Sequence, residues 1–517
     1  MASRNTISSY TLKKNKSDTP EFAGDYVLEK VVLINHLGKK VDFKYIMQEL
    51  NIYESIYKNA ITGSLVIADE GNQIGRMSIQ GLERIAFLLK TPGVSYGKED
   101  VIDATEETGE PFHVFKVTDK KQATPGLVIY TLHFASREFM RNLRTKVSQS
   151  YDGKYDRAVI DIMKDKDYLD SRKKFHYEPT GNSNKIVVPN LSPFAAINMI
   201  AKRSMPDKSN DVGYYFYETT GGYYFRSWAS MITGQGNFAR PPKQKFYYQY
   251  AKLGSENTTK TKDKQGKERT QEKIEKEFQS VESYEFINNF HDVATNTALG
   301  TYGHRIISHN LFDKSYNIED YNFHSDYQTT PHTDSIGKYA NDRFPIADTS
   351  VDYDNRDNVS SYSESRVSLQ TTTPFLHDKD VGNYGLDATQ DGAKTGHMIS
   401  QGNQVTQGTT LKLVVKGQSY LQAGDLIQFD LRDVNFEDKD NKSDPRFSGN
   451  YIITSIRHHI TGEQYDMVLE CVKDSVATAY DLQGQGYNGP DAGETMTIHR
   501  ASKSTMDIEE IDGDIYT

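Results

Sequence analysis

The chain has 517 residues, with 61 Lys and Arg against 71 Asp and Glu, which gives a formal net charge of −10 at pH 7. This length allows roughly three or four domains. The acidic balance, without a dominant basic stripe, disfavours a protein that binds nucleic acid through a Lys/Arg footprint. It is compatible with a pore through which DNA passes.

Hydrophobic residues, counting Tyr, make up 36% of the chain and aromatic residues 11%. The aliphatic content is low for a globular domain, whereas the aromatic content is too high for a disordered chain. Thin domains whose large surfaces are partly covered by partners have this composition. The composition therefore favours a component of an assembly over a self-contained enzyme.

The cysteine count and the hydropathy pattern indicate the compartment. Cys471 is the only cysteine, so the chain has no internal disulfide, and its alternating context "MVLECVKD" predicts a buried structural residue. No stretch approaches the ~18 apolar residues of a membrane span. The N-terminus is basic and rich in Ser and Thr without an apolar centre, which predicts a flexible arm and not a secretory signal. We expect synthesis and use in a reducing compartment, or in a particle assembled there.

Residues 23–136 show the two-residue period of β-strands throughout. The stretch "MQELNIYESIYKNAITGSLVIAD" begins at Met47 and predicts a strand, a tight break and a second strand. Every second position is occupied by Leu50, Ile52, Glu54 and Ile56 before the break, and by Leu65 and Ile67 after it. Five or six antiparallel strands are more than a lone hairpin needs. They predict a sheet closed into a barrel or a sandwich.

Helical spacing replaces the strand pattern after residue 136. A helix capped by Ser136 is predicted, with an apolar face made of Phe139, Met140, Leu143 and Val147. A second helix is predicted over "DRAVIDIMKDKDYL", and a third begins at Ser192 and Pro193, which are preferred at the N-cap and the first helical position. The aromatic residues around "TTGG" predict a hairpin with Trp228 on the returning strand. Residues 137–237 thus predict a small mixed α/β unit.

The second half of the chain alternates between polar and β-patterned stretches. Ser255–Lys276 contains hardly an apolar residue and predicts a solvated loop or exposed helix. Residues 323–400 are rich in Asp, Ser, Tyr, Thr and His, and predict a long irregular segment that is functional or ordered by a partner. Strand patterning then resumes, with a turn at Gly424 and Asp425 and a three-strand meander.

The adjacent residues His458 and His459 are the most conspicuous candidates for chemistry. They lie in a predicted strand, where neighbouring side chains point to opposite faces, so they do not easily bind one metal ion together. We therefore predict structural or surface roles for this pair. The histidines in or near the polar segment lack a metal-binding spacing such as H-E-x-x-H: His304, His309, His324 and His332.

No catalytic motif is apparent in the sequence. It lacks a G-x-S-x-G elbow, a Walker loop and a dinucleotide fingerprint, and "TTGGYYF" predicts a hairpin turn, not a phosphate-binding loop. Acidic residues are numerous, but no stretch places two of them in an apolar setting that would raise a pKa, as a general acid requires. We predict no catalytic, cofactor-binding or metal-binding residues, no cofactor and no enzymatic activity.

Three segments carry a resemblance to a known family: "YESIYKNAITGSLVIADEGN"; "VPNLSPFAAINMIAKRS" with "GYYFYETTGGYYFRSWASM"; and "LVVKGQSYLQAGDLIQFDLRD" with "DPRFSGNYIITSIRHHITGEQYDMVLECVKDS". They resemble the central baseplate hub proteins of contractile-tailed phages, and are similar to the hub portion of type VI secretion spike proteins. The resemblance covers most of the chain outside residues 1–22, 255–277, 323–400 and the tail.

The resemblance implies an α+β, mainly β fold with two tail-tube-type antiparallel β-barrels, an inserted small α/β domain and long polar loops. The implied domains are a flexible N-terminal arm (1–22), a first tube-like barrel (23–136), an α/β hub domain (137–237), a second tube-like barrel (238–322 and 401–475), a long polar insertion (323–400) and an acidic C-terminal tail (476–517).

The resemblance also implies a structural role in a phage tail. Family members form a homotrimer whose six barrels make a pseudo-sixfold ring, which joins the tail tube to the trimeric membrane-piercing spike and forms the channel for genome ejection. The expected partners are further copies of the chain, a trimeric spike or tail-lysozyme protein, a tail tube or tube-initiator protein, and baseplate wedge proteins. DNA is expected to pass through the lumen without specific binding, and no stable membrane insertion is expected. The expected location is the tail baseplate of the virion, after assembly in the host bacterial cytoplasm.

Two alternatives stay open. One is the hub of a genome-free contractile injection particle, which would have the same fold. The other, of a different class, is a receptor-binding or glycan-cleaving tail protein, which predicts a concave site with aromatic residues and a close pair of carboxylates. Only about forty residues follow Asp474, so the spike and any lytic domain are expected on separate chains.

Overall fold

The computed structural model describes residues 23–92, 101–107, 109–181, 185–207, 213–233, 242–248, 277–288, 292–309, 314, 316–326, 331–334, 363–371, 392–432, 443–444, 447–462 and 464–476. All of them belong to one compact unit. The predicted arm, the polar stretch Ser255–Lys276 and the predicted tail beyond Val476 lie outside the described residues.

The strands are β1 (Val27–Ile34), β2 (Lys40–Asp42), β3 (Met47–Ser55), β4 (Thr62–Asp69), β5 (Arg84–Lys90), β6 (Ile102–Asp103), β7 (Phe112–Thr124), β8 (Leu127–Ala135), β9 (Val147–Tyr151), β10 (Phe175–Tyr177), β11 (Ile186–Leu191), β12 (Tyr214–Thr219), β13 (Gly222–Ser227), β14 (Gln244–Tyr248), β15 (Val281–Asn288), β16 (Gly303–His309), β17 (Tyr316–Asn322), β18 (Val367–Thr371), β19 (Thr409–Lys416), β20 (Leu426–Leu431), β21 (Gly449–Thr461) and β22 (Tyr465–Lys473). The predicted class, α+β with mainly β structure, is confirmed.

The α-helices are α1 (Gln73–Arg76), α2 (Arg137–Arg144), α3 (Tyr155–Lys164), α4 (Pro193–Ala201), α5 (Trp228–Thr233), α6 (Val293–Ala298), α7 (Phe323–Asp326) and α8 (Gly392–Gln407), and Ser363–Ser365 forms a 3₁₀ turn. Within the described part of the chain, no helix combines the length and the apolar character needed to cross a bilayer.

One large sheet runs through both β-regions of the chain. Its main path is β15-β19-β22-β21-β3-β4-β8-β7-β5-β1-β2. Off this path, β20 pairs with β21, β14 pairs with β20, and β6 pairs with β5. The pairs are antiparallel except for β14 and β20, which are parallel. The strands of the first β-region (β1–β8) and those of the second (β14, β15 and β19–β22) therefore lie on opposite sides of the β21–β3 pair.

Buried and partly exposed side chains alternate along strands of the first β-region, so one face of the sheet is buried. On β4, every second residue is buried, including Leu65 and Ile67, and Leu50 and Ile52 on β3 are fully buried. These inward side chains join those of the second β-region in one continuous apolar core. The predicted strand, break and second strand that begin at Met47 are confirmed as β3 and β4.

The second β-region closes on itself. The order β15-β19-β22-β21-β20-β14 ends beside its own first strand, because Tyr247 and Ser280 form a parallel bridge. The rings of Tyr248 and Tyr284 stand edge to face across the same closure, with their centroids 4.6 Å apart. The result is a six-stranded ring around inward residues such as Phe429.

The helix positions in the α/β domain follow the predicted local signals. Ser192 is the N-cap of α4 and Pro193 its first residue, as predicted. Ala158, Ile162 and Met163 form part of the buried face of α3. These helices, with β9–β13, enclose an apolar core separate from that of the large sheet.

Several details of this domain differ from the prediction. α3 ends at Lys164, short of the predicted Leu169, and Leu143, predicted on the apolar face of α2, is 63% exposed. Val147 belongs to β9, because α2 ends at Arg144 and Thr145 is extended, with φ −111° and ψ 155°. Trp228 begins α5 and does not lie on the returning strand. The reason is local, since the Ser227 hydroxyl accepts a hydrogen bond from the Ser230 amide (3.3 Å) and so caps a new helix.

A separate three-stranded sheet, in the order β17-β16-β18, packs against α8. β16 and β17 fall in the range predicted for the second barrel, whereas β18 and most of α8 fall in the predicted polar insertion. β16 pairs with β17 on one edge and with β18 on the other, and so joins the two predicted regions in one sheet. In its described residues the insertion is therefore not irregular throughout, because it contributes α7, β18 and the first part of α8.

Candidate assembly site

The two β-regions meet through one long strand, β21. Its first four residues pair with β20, and Ser455–Thr461 pair with Glu49–Ser55 of β3 along the same edge. β22 occupies the other edge. Because both edges of this strand are hydrogen-bonded, the backbone itself fixes how the two β-regions sit side by side.

Glu54 is the polar centre of this meeting point. Its side chain is 1% exposed, and a buried carboxylate needs partners to offset its desolvation. Oε1 accepts a hydrogen bond from the Thr220 amide (3.0 Å) and Oε2 accepts one from the Ala423 amide (3.2 Å). His458 Nε2 lies 3.6 Å from Oε1. One side chain of β3 thus connects to the β12–β13 hairpin, the β19–β20 loop and β21.

The β19–β20 loop docks on the aromatic hairpin through a glycine. Gly424 has φ +86°, and a Cβ there would lie 2.3 Å from the Tyr217 hydroxyl, so both the backbone conformation and the space require glycine. Arg226 donates to the Gly424 carbonyl (3.1 Å) and to the Tyr217 hydroxyl (2.8 Å). The turn predicted at this position is confirmed.

Apolar side chains surround these polar contacts. This junction cluster combines residues from the first β-region, the α/β domain, α8 and the second β-region: Ile56, Tyr217, Trp228, Met231, Ile232, Val405, Ala423, Leu426, Ile452 and Val472. All ten are buried. Four regions of the chain therefore share one small core, which predicts that the junction is a rigid framework and not a hinge.

A second buried group of charges binds the α/β domain to the residue before β4. Glu138 and Glu218 are 0% and 1% exposed, and both form ion pairs with Lys173. Glu218 also accepts a hydrogen bond from the Ile61 amide (2.9 Å). Burial raises the pKa of Glu218, against the lowering effect of Lys173. The prediction concerned single stretches of sequence and is not affected, because Glu138 and Glu218 lie eighty residues apart in the chain and meet only in the fold.

The pair formed by Glu138 and Glu218 has a structural role and not a catalytic one. A glycan-cleaving site needs two carboxyl groups that reach a substrate, whereas Glu138 and Glu218 are sealed from solvent and share one ammonium group. Burial disfavours the charged form of Lys173, but the two carboxylates outweigh this effect and raise its pKa. The ammonium group of Lys173 therefore remains charged and paired with both carboxylates.

The histidine pair is divided between two faces, as predicted. His458 is fully buried, and its Nδ1 lies 2.7 Å from the Tyr465 hydroxyl. His459 points to the other face, where its Nε2 lies 3.2 Å from Glu49 Oε1. The two side chains hold separate partners in the β3–β21–β22 ladder.

The described histidines in or near the polar segment are also separated from one another. Nδ1 of His304 lies 2.8 Å from the Gly300 carbonyl oxygen, His309 ends β16, and His332 pairs with Asp474 (2.8 Å). The side chain of His324 lies outside the description. Among the described residues, no three His, Cys, Asp or Glu side chains are arranged to hold a metal ion.

Cys471 is buried in β22, as predicted. Burial raises the pKa of its thiol well above the usual range. A thiol in this setting is unreactive, since the thiolate is the nucleophile. Cys471 packs in the apolar core of the large sheet.

The outer edge of β7 is protected against unspecific pairing. Beyond its short contact with β5 at Phe112 and His113, the described ladder of β7 involves β8 alone. This edge contains Lys116, Lys120 and Lys121 together with three register shifts against β8. Lysines and bulges are common devices that keep an edge strand from recruiting other strands.

Sequence reasoning missed Glu54 and the Glu138–Glu218 pair as structural centres. A signal for Glu54 was present, because it shares the buried phase of β3 with Leu50 and Ile52. The pair gave no local signal, since its members are eighty residues apart. Contacts of that kind emerge only from the fold.

No protein-family model and no curated protein matches the chain. Several solved structures are similar. A tail protein from Neisseria meningitidis has a TM-score of 0.45 at 9% identity, covering 87% of this chain and 97% of its own. The 43 kDa tail protein of prophage MuSo2 from Shewanella oneidensis has a TM-score of 0.44 at 9% identity, covering 87% and 99%.

A component of the type VI secretion system of E. coli is also similar, with a TM-score of 0.36 at 7% identity, covering 84% of this chain and 75% of its own. Two of these structures are tail proteins and the third is a component of a secretion system. With such low identities and TM-scores, the likeness assigns no function by itself.

Proposed function

We propose that the chain is a structural protein of a contractile phage tail, namely the central hub of the baseplate. In this role it forms a homotrimer, joins the tail tube to a trimeric spike, and surrounds a channel through which the genome leaves. It has no catalytic activity of its own and acts in the virion after assembly in the bacterial cytoplasm.

The observation that carries this proposal is the shared strand β21. It holds two β-regions side by side in one sheet, and Glu54 and the junction cluster lock the α/β domain against both. Three copies would present six such β-regions at fixed spacing, which suits a threefold component that must match a sixfold tube. The three resembling segments of the sequence include the end of β3, all of β4, the α/β hairpin and β20–β22, which contribute to this framework.

The proposed partners follow from that geometry. One end of the ring would contact the tail tube or its initiator, and the other end would contact the spike or tail lysozyme. The periphery of the ring would contact the wedge proteins. A lumen wall with little positive charge would let DNA pass, because Lys and Arg contacts to phosphate retain it.

Native mass spectrometry and negative-stain imaging of the purified full chain test the proposal. We expect a species of three times 58.7 kDa, about 176 kDa, whose particles show a central hole. A chain that stays monomeric at micromolar concentration, and forms no ring when co-expressed with a trimeric spike, would contradict the hub assignment. It would favour the receptor-binding reading.

A further inference from the structure

A row of apolar side chains begins on the first β-region and continues onto the α/β domain. Leu82, in the loop before β5, lies opposite Phe115 of β7, because a backbone hydrogen bond extends the pairing of β5 with β7 beyond the start of β5. The rings of Phe115 and Phe139 lie side by side, with their centroids 5.7 Å apart. Leu143 follows Phe139 by four residues and so lies on the same side of α2. We call Leu82, Phe115, Phe139 and Leu143 the α2 ridge.

The helix α2 turns a charged residue inward and apolar residues outward. Its buried residue is Glu138, which is held inside by an ion pair. Leu82 and Leu143 are each 63% exposed and Phe115 is 38% exposed. Phe139 is half-buried. A surface helix normally buries its apolar stripe. Neighbouring exposed apolar residues from three segments of the chain mark a surface that contacts another molecule.

Both elements that carry the α2 ridge are basic. α2 contains three arginines against Glu138, and β7 contains three lysines against Asp119. Lys116, Arg144 and Lys146 are exposed and lie within three residues of the ridge in the chain. Among the described residues, no carboxylate forms an ion pair with any of these three cations.

The charge of the α/β domain as a whole has the same sign. Residues 137–237 contain 16 Lys and Arg against 11 Asp and Glu, although the chain has a net charge of −10. Carboxylates near the ridge are already bound within the chain: Glu83 by backbone amides, Glu106 by Lys40 and Arg84, and Glu110 and Asp170 by Arg137. The charges that stay available at the ridge are therefore positive.

His113, two residues before the ridge on β7, responds to this local charge. Burial is the main cause that lowers the pKa of its imidazole to about 4. The cations Arg84, Arg137 and Arg144 lower this pKa further. Glu138 acts in the opposite direction. Three arginines thus act on one point beside the ridge, and the imidazole there is neutral at pH 7.

The combination of apolar and cationic groups indicates the class of partner. A nucleic acid offers phosphates to the cations but no apolar side chains to cover the leucines. A membrane anchor needs apolar groups that enter the acyl region, whereas the two rings of the ridge lie against the protein surface. A protein segment with apolar residues on one face and acidic residues beside them matches both features, as amphipathic helices in grooves do.

We propose that the α2 ridge binds an acidic segment of a partner protein. The apolar side chains of that segment cover Leu82 and Leu143, and its carboxylates pair with Lys116 and Arg144 at the rim. Charge pairs at the rim mainly add specificity and speed of association, whereas the covered leucines hold the complex together. The ridge lies outside the framework around Glu54, so the inference does not depend on the proposed hub.

A synthetic amphipathic helix made of Leu, Ala and Glu serves as the probe, and a second peptide carries Lys in place of Glu. Fluorescence anisotropy with the purified full-length chain measures both affinities at low and at high salt. We expect the acidic peptide to bind at least about tenfold more tightly than the basic one. Raising the salt concentration should weaken the binding of the acidic peptide, because surface charges are screened.

Substitutions on the ridge locate the contact. We expect Leu143→Glu and Arg144→Glu each to weaken the binding of the acidic peptide by about tenfold or more, because both place a like charge at the contact. Val187→Glu and Arg157→Glu are the matched controls, at exposed positions of β11 and α3 in the same domain. The controls should leave the affinity unchanged, and the circular dichroism spectra of all four variants should match that of the wild type.

Equal binding of the two peptides, or equal effects of ridge and control variants, would overturn the proposal. Phosphatidylglycerol vesicles that bind the wild type but not Leu143→Glu, when the acidic peptide does not bind, would assign the ridge to a membrane surface and overturn the proposal. A native mass that Leu143→Glu lowers would show a second copy on the ridge. That result would overturn a separate partner and leave the hub proposal standing.

Discussion

Single buried charges hold the regions of this protein in register. Glu54 accepts hydrogen bonds from two other regions, and Lys173 joins two carboxylates of the α/β domain. Buried ionic groups contribute little net stability compared with apolar packing, but the loss of one partner is costly, because the other remains buried and unpaired. Their effect is therefore to select one arrangement of the regions.

Replacing Glu54 tests this role directly. Glu54→Ala leaves the amides of Thr220 and Ala423 without their acceptor, and we expect it to lower the free energy of unfolding by about 3 kcal/mol. Urea unfolding followed by the fluorescence of Trp228, the only tryptophan, measures the change. Glu470→Ala, at an exposed position of β22, should change the free energy by less than about 0.5 kcal/mol. Equal effects of the two variants would remove the special role of Glu54.

Asp474 predicts a dependence of stability on pH. Burial alone would raise the pKa of Asp474, but His332 and the hydrogen bonds from Thr333 outweigh burial and hold this pKa below its usual 3.8. Because the folded pKa is lowered, the stabilisation is complete above about pH 5 and is lost as the pH falls through the folded pKa.

Asp474→Asn removes this titration. At pH 7 we expect the variant to unfold with about 2 kcal/mol less free energy, because charge-assisted hydrogen bonds are lost. The difference from the wild type should shrink as urea unfolding is repeated from pH 5 down to pH 3. A difference that stays constant over this range would show that the charge of Asp474 is unimportant.

At the scale of elements, β4 lies between β3 and β8 and passes very close to a ring of β8. A Cβ at Gly63 would lie 2.2 Å from Phe134 Cζ and 2.5 Å from the Asn51 carbonyl oxygen. We expect Gly63→Ala to destabilise the protein by about 1–3 kcal/mol, since the core must shift to make room. The thermal midpoint, followed by far-UV circular dichroism, measures it.

Gly402→Ala is the matched control for that substitution. Gly402 lies within α8 and has no atom within 4 Å of the added Cβ, and alanine is favoured over glycine in helices by up to about 1 kcal/mol. The control should leave the midpoint unchanged or raise it. If both variants behaved alike, steric crowding at β4 would not explain the glycine.

The elements that were predictable have signals within a few residues. Ser192 and Pro193 mark the start of α4, and the alternation of Leu50 and Ile52 marks β3. Partners far apart in the chain give no such signal, so neither the pairing of β3 with β21 nor the union of β18 with β16 was predictable. Trp228 was misplaced for a related reason, because a serine cap competed with an aromatic strand pattern.

For the whole molecule, the shared strand and the continuous core imply that the regions unfold together. β21 is hydrogen-bonded to both β-regions, whose inward side chains form one core. Trp228 lies in the junction cluster, away from the interior of the first β-region. Its fluorescence therefore reports whether a perturbation in one region reaches the framework.

Ile52→Ala tests this cooperativity. Ile52 is fully buried in the first β-region and lies opposite His458 of β21, so the cavity should cost about 2–4 kcal/mol. We expect the urea midpoints from far-UV circular dichroism and from Trp228 fluorescence to fall by the same amount. Ile287→Ala, at an exposed position of β15, should move neither. If only the circular dichroism transition moved, or if it split in two, the first β-region would unfold alone. The side-by-side spacing on which the proposed ring depends would then lack a rigid framework.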